Sequence, residues 1–507
     1  MYSFDKEKLG KGGFGYCLKA FLKKDKTRVF AVKVIDKSAH YHDMALFLKE
    51  IELLKLFDHP YIVKFYEVYE DKKHLYLVQE FCAGGELQDR IDSQGRCGEH
   101  DTRNYLWQML VAVNYIHKKG IAHRDLKPQN FMIKEYGGTE LKMIDFGLSQ
   151  AYSPDKYMFT IAGSPCYLSP EVLDQTYTHK CDVWSLGVVL YQLITGDLPF
   201  NSVNNKEIFE QIYNADYDLA KFEAMGVSRH CLDLLRRMIV IGEDKRISVE
   251  EAIQHPWFQP KVERIRSVGK KLISKTHLQN LRKFSVSSMF QREMIGMMVQ
   301  AFRDDIEIQN LTCIFMSLNE DFSGTLKKSD LDKLFNSYQI YLTEQEIEHI
   351  IDSLYIKDKG QITFLEFEAG MLDSQFFTND ARVRTFFKYF DLDGDGFISH
   401  DEIVSCFRRF GREMDEVGVR LMISEVDENS DGLISFKEFE LLMSGSSASP
   451  VRARRANERF MSRLERQRSM SHPDILLSLN VRRMSNDSPD LKSMEIKTFR
   501  KLEKKIF

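Results

Sequence analysis

Asp391, Asp393 and Asp395 stand at every second position of the run DLDGDGFISHDE, followed by Gly396 and closed by Glu402. Carboxylates at that spacing repel one another unless a cation sits among them. Acidic side chains at positions 1, 3, 5 and 12, a carbonyl at 7 from Phe397 and a glycine for the sharp turn are the hard oxygen set that Ca²⁺ takes. The run from Asp427 repeats the arrangement with Asn429, Asp431, Gly432, Leu433 and Glu438. A second chemistry is written near the other end. Gly10-Lys11-Gly12-Gly13-Phe14-Gly15 fits G-x-G-x-x-G, whose glycines let backbone amides close over phosphates with no side chain in the way. The pattern also opens dinucleotide-binding folds when a helix follows. Here a strand-like run ending in Ala31-Val32-Lys33 follows, which favours a hairpin covering a nucleotide. Further on come HRDLKPQN at 123–130 and Asp145-Phe146-Gly147.

The elements that must position these groups need more than one core. The chain has 507 residues, 43% hydrophobic and 29% charged, so two or three ordinary globular domains are expected. A net charge of −4 supplies no bulk field for nucleic acid. The eight cysteines are scattered, with no C-x-x-C pair and no signal peptide ahead of them, which fits a reducing, cytoplasmic setting. The longest apolar stretch, Leu186 to Ile194, is far shorter than the roughly 20 residues a membrane helix needs and reads as a buried helix. A myristoyl anchor needs Gly after Met1, and the chain reads Met1-Tyr2, so no anchor of that kind is expected.

Apolar and polar residues alternate through Tyr16–Ala20 and Val29–Ile35, the pattern turns helical around Ala45–Phe57, and from Thr102 it is mainly helical. This predicts a small sheet-rich lobe, then a larger helical one ending near Trp257 and Phe258, with the active site in the cleft between them.

With its motifs in this order, the chain resembles the eukaryotic protein kinase family over residues 2–258. The resemblance implies that Leu9, Gly10, Gly12, Gly15 and Cys17 surround ATP, and that Lys33 holds its α- and β-phosphates and pairs with Glu50, with Glu52 as the competing partner. Glu80 to Cys82 would offer backbone groups to adenine, with Gln79 behind them limiting the pocket. Asp125 would accept or orient the substrate hydroxyl proton, and Asn130 and Asp145 would hold Mg²⁺. Lys127 would steady the transferring phosphoryl group and is typical of Ser/Thr rather than Tyr specificity. That group spreads charge over three oxygens and needs positioned cations more than covalent help. Ser169-Pro170-Glu171, Asp182-Val183-Trp184-Ser185-Leu186-Gly187 and Arg246, as partner of Glu171, support the fold. Glu86 stands where basophilic relatives read an Arg three residues before the target, although Gln129 replaces a second carboxylate. A phosphate on Thr160 would pair with Arg124; a calcium-driven switch would make it dispensable.

Loop starts at Asn319, Tyr355, Asp391 and Asp427 recur every 36 residues, predicting four helix-loop-helix units with loops 319–330, 355–366, 391–402 and 427–438. The first offers Asn319, Asp321, Ser323, Gly324 and Asp330 to calcium, weakened by Lys327 at position 9 and the short Asp at 12. The second has Tyr355, Lys357 and Lys359 where ligands belong and reads as a metal-free partner shaped by Gly360, Ile362 and Glu366. Residues 259–308 combine Lys270, Lys271, Lys275, Arg282 and Lys283 with Leu278, Leu281, Phe290, Met294, Met297 and Met298. They read as one basic amphipathic helix, either a target for a calmodulin-type groove or a helix packed on the preceding domain. The tail, 444–507, is rich in Arg and Ser and is expected to be disordered or partly helical. Its Arg-x-x-Ser runs suit self-phosphorylation, and its charge equally suits acidic lipid.

A kinase domain, a junction (259–308) and four EF-hand units (309–443) together resemble the calcium-dependent protein kinase family of plants and protists, on Leu278-Gln279-Asn280-Leu281-Arg282-Lys283-Phe284 above all. The resemblance implies an α+β chain: a bilobal kinase fold followed by an all-α calmodulin-like domain. It implies a Ser/Thr protein kinase using ATP, Mg²⁺ and Ca²⁺ on protein substrates, blocked by its junction helix at low calcium and released when the EF-hands capture it. Neither nucleic acid nor a membrane span is expected. The alternative is a constitutively active kinase carrying a calcium buffer or scaffold.

Overall fold

Five strands, β1 (Tyr2–Gly12), β2 (Gly15–Leu22), β3 (Val29–Asp36), β4 (Phe65–Glu70) and β5 (His74–Glu80), pair antiparallel in the order β1-β2-β3-β5-β4. Period-two alternation along β3 buries Phe30, Val32 and Val34 on one face and turns Ala31 and Lys33 to the other. Gly15 is required by closeness: a Cβ there would stand 2.1 Å from the Val34 carbonyl oxygen. Helix α1 (Met44–Leu56) buries Phe47, Ile51 and Leu54 along one stripe and carries Glu50 inward with them. The computed structural model describes residues 2–445 except 13–14, 23–28, 38–43, 154–155, 286, 288, 303–304, 355–359 and 410–415. The Arg-rich run from 446, Tyr355, Lys357 and Lys359 therefore lie outside the described residues. Contacts divide the described residues into two compact units, 2–57 with 61–259, and 58–60 with 260–445.

The rest of the first unit is mainly helical. Helix α2 (Leu87–Gln94) precedes α3 (Glu99–Lys118), which is buried from Tyr105 to Ile116. Every residue of the helix Cys181–Thr195 is buried, which accounts for the apolar run within it. Two small strand pairs interrupt the helical pattern: Ile121–Ala122 with Gln150–Ala151, and Phe131–Ile133 with Leu141–Met143. Strands of two or three residues carry too little periodicity to be read from sequence, yet these frame both 123–130 and 145–147. Arg246 is 1% exposed and meets Glu171 (Nη2 to Oε2, 3.0 Å), the Val240 carbonyl (2.9 Å) and the Lys180 carbonyl (3.0 Å). Truncating it empties a buried site and leaves the partly buried Glu171 carboxylate and two carbonyls without their partner. Arg246→Ala is expected to cost about 3–5 kcal/mol, read as a lowered denaturant midpoint of the first unit; a loss under about 1 kcal/mol contradicts the assignment.

In the second unit the single amphipathic helix expected across 261–308 is corrected to three: Gln259–Leu272, Lys275–Ser285 and Met289–Ala301. The first break is a reciprocal cap, with the Ser274 hydroxyl accepting from His277 N (3.4 Å) and His277 Nδ1 accepting from Ser274 N (3.1 Å). Leu278, Leu281, Phe284, Phe290, Met294, Met297 and Met298 are all buried. Helix Lys275–Ser285 packs on Glu344–Leu354 and Phe364–Met371, and Met289–Ala301 on Phe364–Met371 and Phe436–Ser444. Antiparallel bridges join Thr325–Lys327 to Gln361–Thr363 and Phe397–Ile398 to Ile434–Ser435. All eight cysteines are free thiols. No helix among the described residues is long and apolar enough to cross a membrane.

Candidate active site and metal loops

Lys33 lies opposite Cys17 on β2 and Leu77 on β5. Its Nζ is 2.8 and 2.9 Å from the two Glu50 oxygens and 3.7 Å from Asp145 Oδ1. Burial disfavours the ammonium, but Glu50 and Asp145 outweigh it and raise the Lys33 pKa. Glu52 points away and pairs with Lys55 at 2.9 Å. Gln79 pairs with Ala31 and shares the face that carries Lys33. The Glu80 side chain, unnoticed in the sequence, reaches Lys142 (3.1 Å) and the Lys64 amide (3.2 Å). Burial opposes its charge, yet Lys142 and Lys134 hold the carboxyl below its usual range, fixing the strand end that leads to buried Cys82. Leu9 and Gly10 are exposed on β1, and Gly12 pairs with Gly15 where the hairpin turns.

Residues 123–130 are held from below by Asp182, which is fully buried. Its Oδ1 accepts from Arg124 N and its Oδ2 from His123 N, each at 2.8 Å, and His117 Nε2 stands 2.8 Å from Oδ2. These bonds sustain the positive φ of Arg124 (69°), a conformation L residues rarely take; Asp145 shares it at 62°. Asp125 Oδ2 is 2.8 Å from Lys127 Nζ and 3.1 Å from Asn130 Nδ2, and Oδ1 accepts from the Ser164 amide (3.0 Å) and hydroxyl (2.9 Å). Lys127 Nζ also donates to Ser164 Oγ at 2.8 Å. Ser164 was missed in the sequence, where only its place after Gly163 and before Pro165 marks it. Phe146 is buried, 4.8 Å from Phe57 and 5.1 Å from His123 between ring centroids.

Arg124 Nη1 donates to the Thr160 hydroxyl at 2.7 Å and to the Tyr177 hydroxyl at 2.9 Å. Burial and the Arg124 charge push the Lys49 ammonium down to about 8. Glu86 caps α2 beside Asp89, and burial, then Asp89, raise its pKa while Lys127 lowers it. Gln129 Nε2 donates to Gln88 Oε1 at 3.3 Å.

Among the loops, one oxygen each from Asp391, Asp393 and Asp395 lie within 4.8 Å of one another. Asp391 accepts from Gly394 N (2.6 Å) and Gly396 N (3.2 Å), while Glu402 accepts from Leu392 N (2.7 Å) and Ser399 N (2.8 Å), tying the loop's end to its start. Asp427 and Glu438 repeat this with Ser430 N (2.6 Å), Gly432 N (2.9 Å), Glu428 N (2.9 Å) and Ser435 N (2.8 Å). Asp321 and Lys327, in loop 319–330, form an ion pair.

The protein kinase domain family matches residues 4–258, and the EF-hand domain pair matches 380–444. Calcium-dependent protein kinase 5 of Plasmodium falciparum is 32% identical over 462 residues, covering 88% of this chain and 78% of that protein. Calcium-dependent protein kinase 33 of Arabidopsis thaliana is 32% identical over 454 residues, 89% and 86% of the two chains. The chain belongs to the calcium-dependent protein kinase family. Membership brings ATP, Mg²⁺ and Ca²⁺, and the residues fit them. A partly buried ammonium fixed by buried Glu50 beside Asp145 suits a polyphosphate carrying a metal ion. Three converging carboxylates in 391–402, which accept from backbone amides, suit a divalent cation. The chain thus carries a kinase domain and an EF-hand pair.

Proposed function

We propose that the chain transfers the γ-phosphate of ATP to Ser and Thr hydroxyls of basic protein sites, and that its own EF-hands release it from a junction-imposed block when calcium rises. The proposed division is kinase domain 2–258, junction 259–308, four EF-hand units across 309–443 and tail 444–507. Lys33, held by Glu50, grips the α- and β-phosphates, and Leu9, Gly10, Gly12, Gly15, Cys17, Glu80 and Cys82 enclose the nucleotide. Asn130 and Asp145 hold Mg²⁺, which would neutralise charge on the phosphates. Asp125 takes or orients the substrate proton, and Lys127 steadies the phosphoryl oxygens while Ser164 keeps both side chains in place. Calcium goes to Asp391, Asp393, Asp395, Phe397 and Glu402, and to Asp427, Asn429, Asp431, Leu433 and Glu438. Phosphorylated Thr160 would face Arg124. The cysteines, all free thiols, support a cytoplasmic setting.

The observation that carries the reading is the single hydrogen-bonded cluster of Asp125, Lys127, Asn130 and Ser164 in a chain that also carries the Asp391–Asp393–Asp395 group. Burial of the junction's apolar residues against the EF-hand helices supports capture as the releasing step. Phosphorylation of a Ser/Thr peptide array in chelator and in calcium tests it, and equal rates leave only the buffer or scaffold alternative. For substrate choice, the two like-charged carboxylates Glu86 and Asp89, whose repulsion raises the Glu86 pKa after burial, favour a cationic side chain. Glu86→Gln is expected to lower kcat/KM about 10- to 100-fold for peptides with Arg three residues before the target, a charge-assisted hydrogen bond being worth roughly 1.5–3 kcal/mol. Peptides without that Arg should change little, and a uniform drop speaks against the assignment.

A further inference from the structure

Loop 319–330 has the shape of its two acidic counterparts but a different interior. In the acidic loops the position-1 aspartate uses both oxygens on turn amides: Asp391 on Gly394 N and Gly396 N, Asp427 on Ser430 N and Gly432 N. Each oxygen keeps a lone pair for a cation. Asn319 has one oxygen, and it accepts from Gly324 N at 2.8 Å. Its Nδ2 turns inward instead, 3.0 Å from Asp321 Oδ1, 3.2 Å from Ser323 Oγ and 2.8 Å from the Thr325 carbonyl. Those are positions 3, 5 and 7, whose oxygens would otherwise face an ion. Flipping the amide does not open the site, because N–H would then oppose N–H at Gly324 and a buried hydrogen bond would be lost. Asn319 is 1% exposed, so that loss is not made up by water.

Two further side chains also weigh against an ion. The Lys327 ammonium, at position 9, pairs with Asp321. Asp330, at position 12, accepts from Lys327 N at 2.9 Å, as Glu402 does from Ser399 N, but it is one methylene shorter. Glu402 and Glu438 reach back to Leu392 N and Glu428 N, and among the described contacts Asp330 makes no such reach.

We infer that loop 319–330 is closed by the chain's own nitrogen donors, the Asn319 amide and the Lys327 ammonium, and takes no divalent cation at any calcium level. The bridge between Thr325–Lys327 and Gln361–Thr363 then persists without an ion, and calcium acts only through 391–402 and 427–438. The inference rests on the calcium-switch reading for the role of those two loops, but its test does not use kinase activity. Calcium bound per full-length chain, counted by native mass spectrometry and by calorimetry, is expected to be two. Asp321→Asn should leave the count at two, and Glu402→Gln with Glu438→Gln should remove both. Asn319→Asp with Lys327→Thr and Asp330→Glu should raise the count to three. A wild-type count of three that falls to two in Asp321→Asn overturns the inference, as does an Asp321-dependent ion in the Glu402→Gln, Glu438→Gln background. Should the triple variant fail to fold, judged by circular dichroism, the wild-type and Asp321→Asn counts decide alone. Two bound ions with a calcium-blind kinase rate would sink the switch and leave this inference standing.

Discussion

Asp125→Asn is expected to lower kcat by about 10²- to 10⁴-fold, the range a positioned general base contributes, while the Kd for ATP stays within a few-fold. The asymmetry follows from where the contacts lie. Asp125 receives Lys127 Nζ and Asn130 Nδ2 on one oxygen and both Ser164 donors on the other, so each oxygen faces donors only. An amide must turn its NH₂ toward one of these pairs. The substrate hydroxyl then loses its acceptor, and either Lys127 or Ser164 is displaced with it. In the proposed assignment the nucleotide is gripped elsewhere, by the Lys33–Glu50 pair and the strand end at Glu80, which the substitution does not touch. Ser164→Ala separates the two contributions: it removes one donor to Asp125 and the acceptor of Lys127, but leaves the carboxylate. A smaller loss, about 10-fold, is expected, since one hydrogen bond to a charged group is worth roughly 1.5–3 kcal/mol. Single-turnover phosphorylation at saturating ATP reads both. If Asp125→Asn keeps kcat within about fivefold of the parent, Asp125 is not the group that handles the proton.

What the sequence made legible follows from how each group announces itself. Lys33, Asp125, Asp145 and the acidic loops are polar residues at fixed spacings, and spacing survives without tertiary information. Strands β2 and β3 and helix α1 were readable because their apolar periods run for eight residues or more. The strand pairs around 121–151 were not, because two or three residues show no period. The junction was misjudged as one helix because its apolar residues keep a helical rhythm across the Ser274 break, and only a side-chain cap reveals the break. Ser164 and the Glu80 side chain escaped for a third reason: their partners lie 37 and 62 residues away along the chain, Lys127 and Lys142, and contact at that range is not written in any local pattern. Lys327 was seen as an obstacle to coordination. That the obstacle is itself a cation paired within the loop needed the geometry.

Replacing Glu402 and Glu438 together with Gln is expected to abolish calcium activation while leaving the chelator rate intact. Each glutamate supplies the closing carboxylate of its loop and also ties loop end to loop start, through Leu392 N and Glu428 N. Glutamine can keep the tie with its one oxygen but loses the charge and the second oxygen that a hard cation needs. An ion that binds only the active state at ten times its Kd shifts the balance by about 1.4 kcal/mol, so two ions give about 2.8 kcal/mol. From a 1:99 resting balance this reaches roughly even, a gain near 50-fold, and a single Glu→Gln variant should reach only about 10-fold. Going on to 99:1 takes ~5.5 kcal/mol. With loop 319–330 already closed by Asn319 and Lys327, no third ion is on hand to supply the difference. Two sites close it only near one hundred times Kd, where each contributes about 2.7 kcal/mol. Because the ions bind only the active state, occupancy cannot run ahead of activation: both should stand near half at about ten times Kd and complete only near about one hundred times Kd, and calcium titrations of binding and of peptide phosphorylation on one preparation will show whether they do. Binding that completes ahead of activation means that the ions also bind the resting state, and a double variant that still responds to calcium removes these loops from the switch.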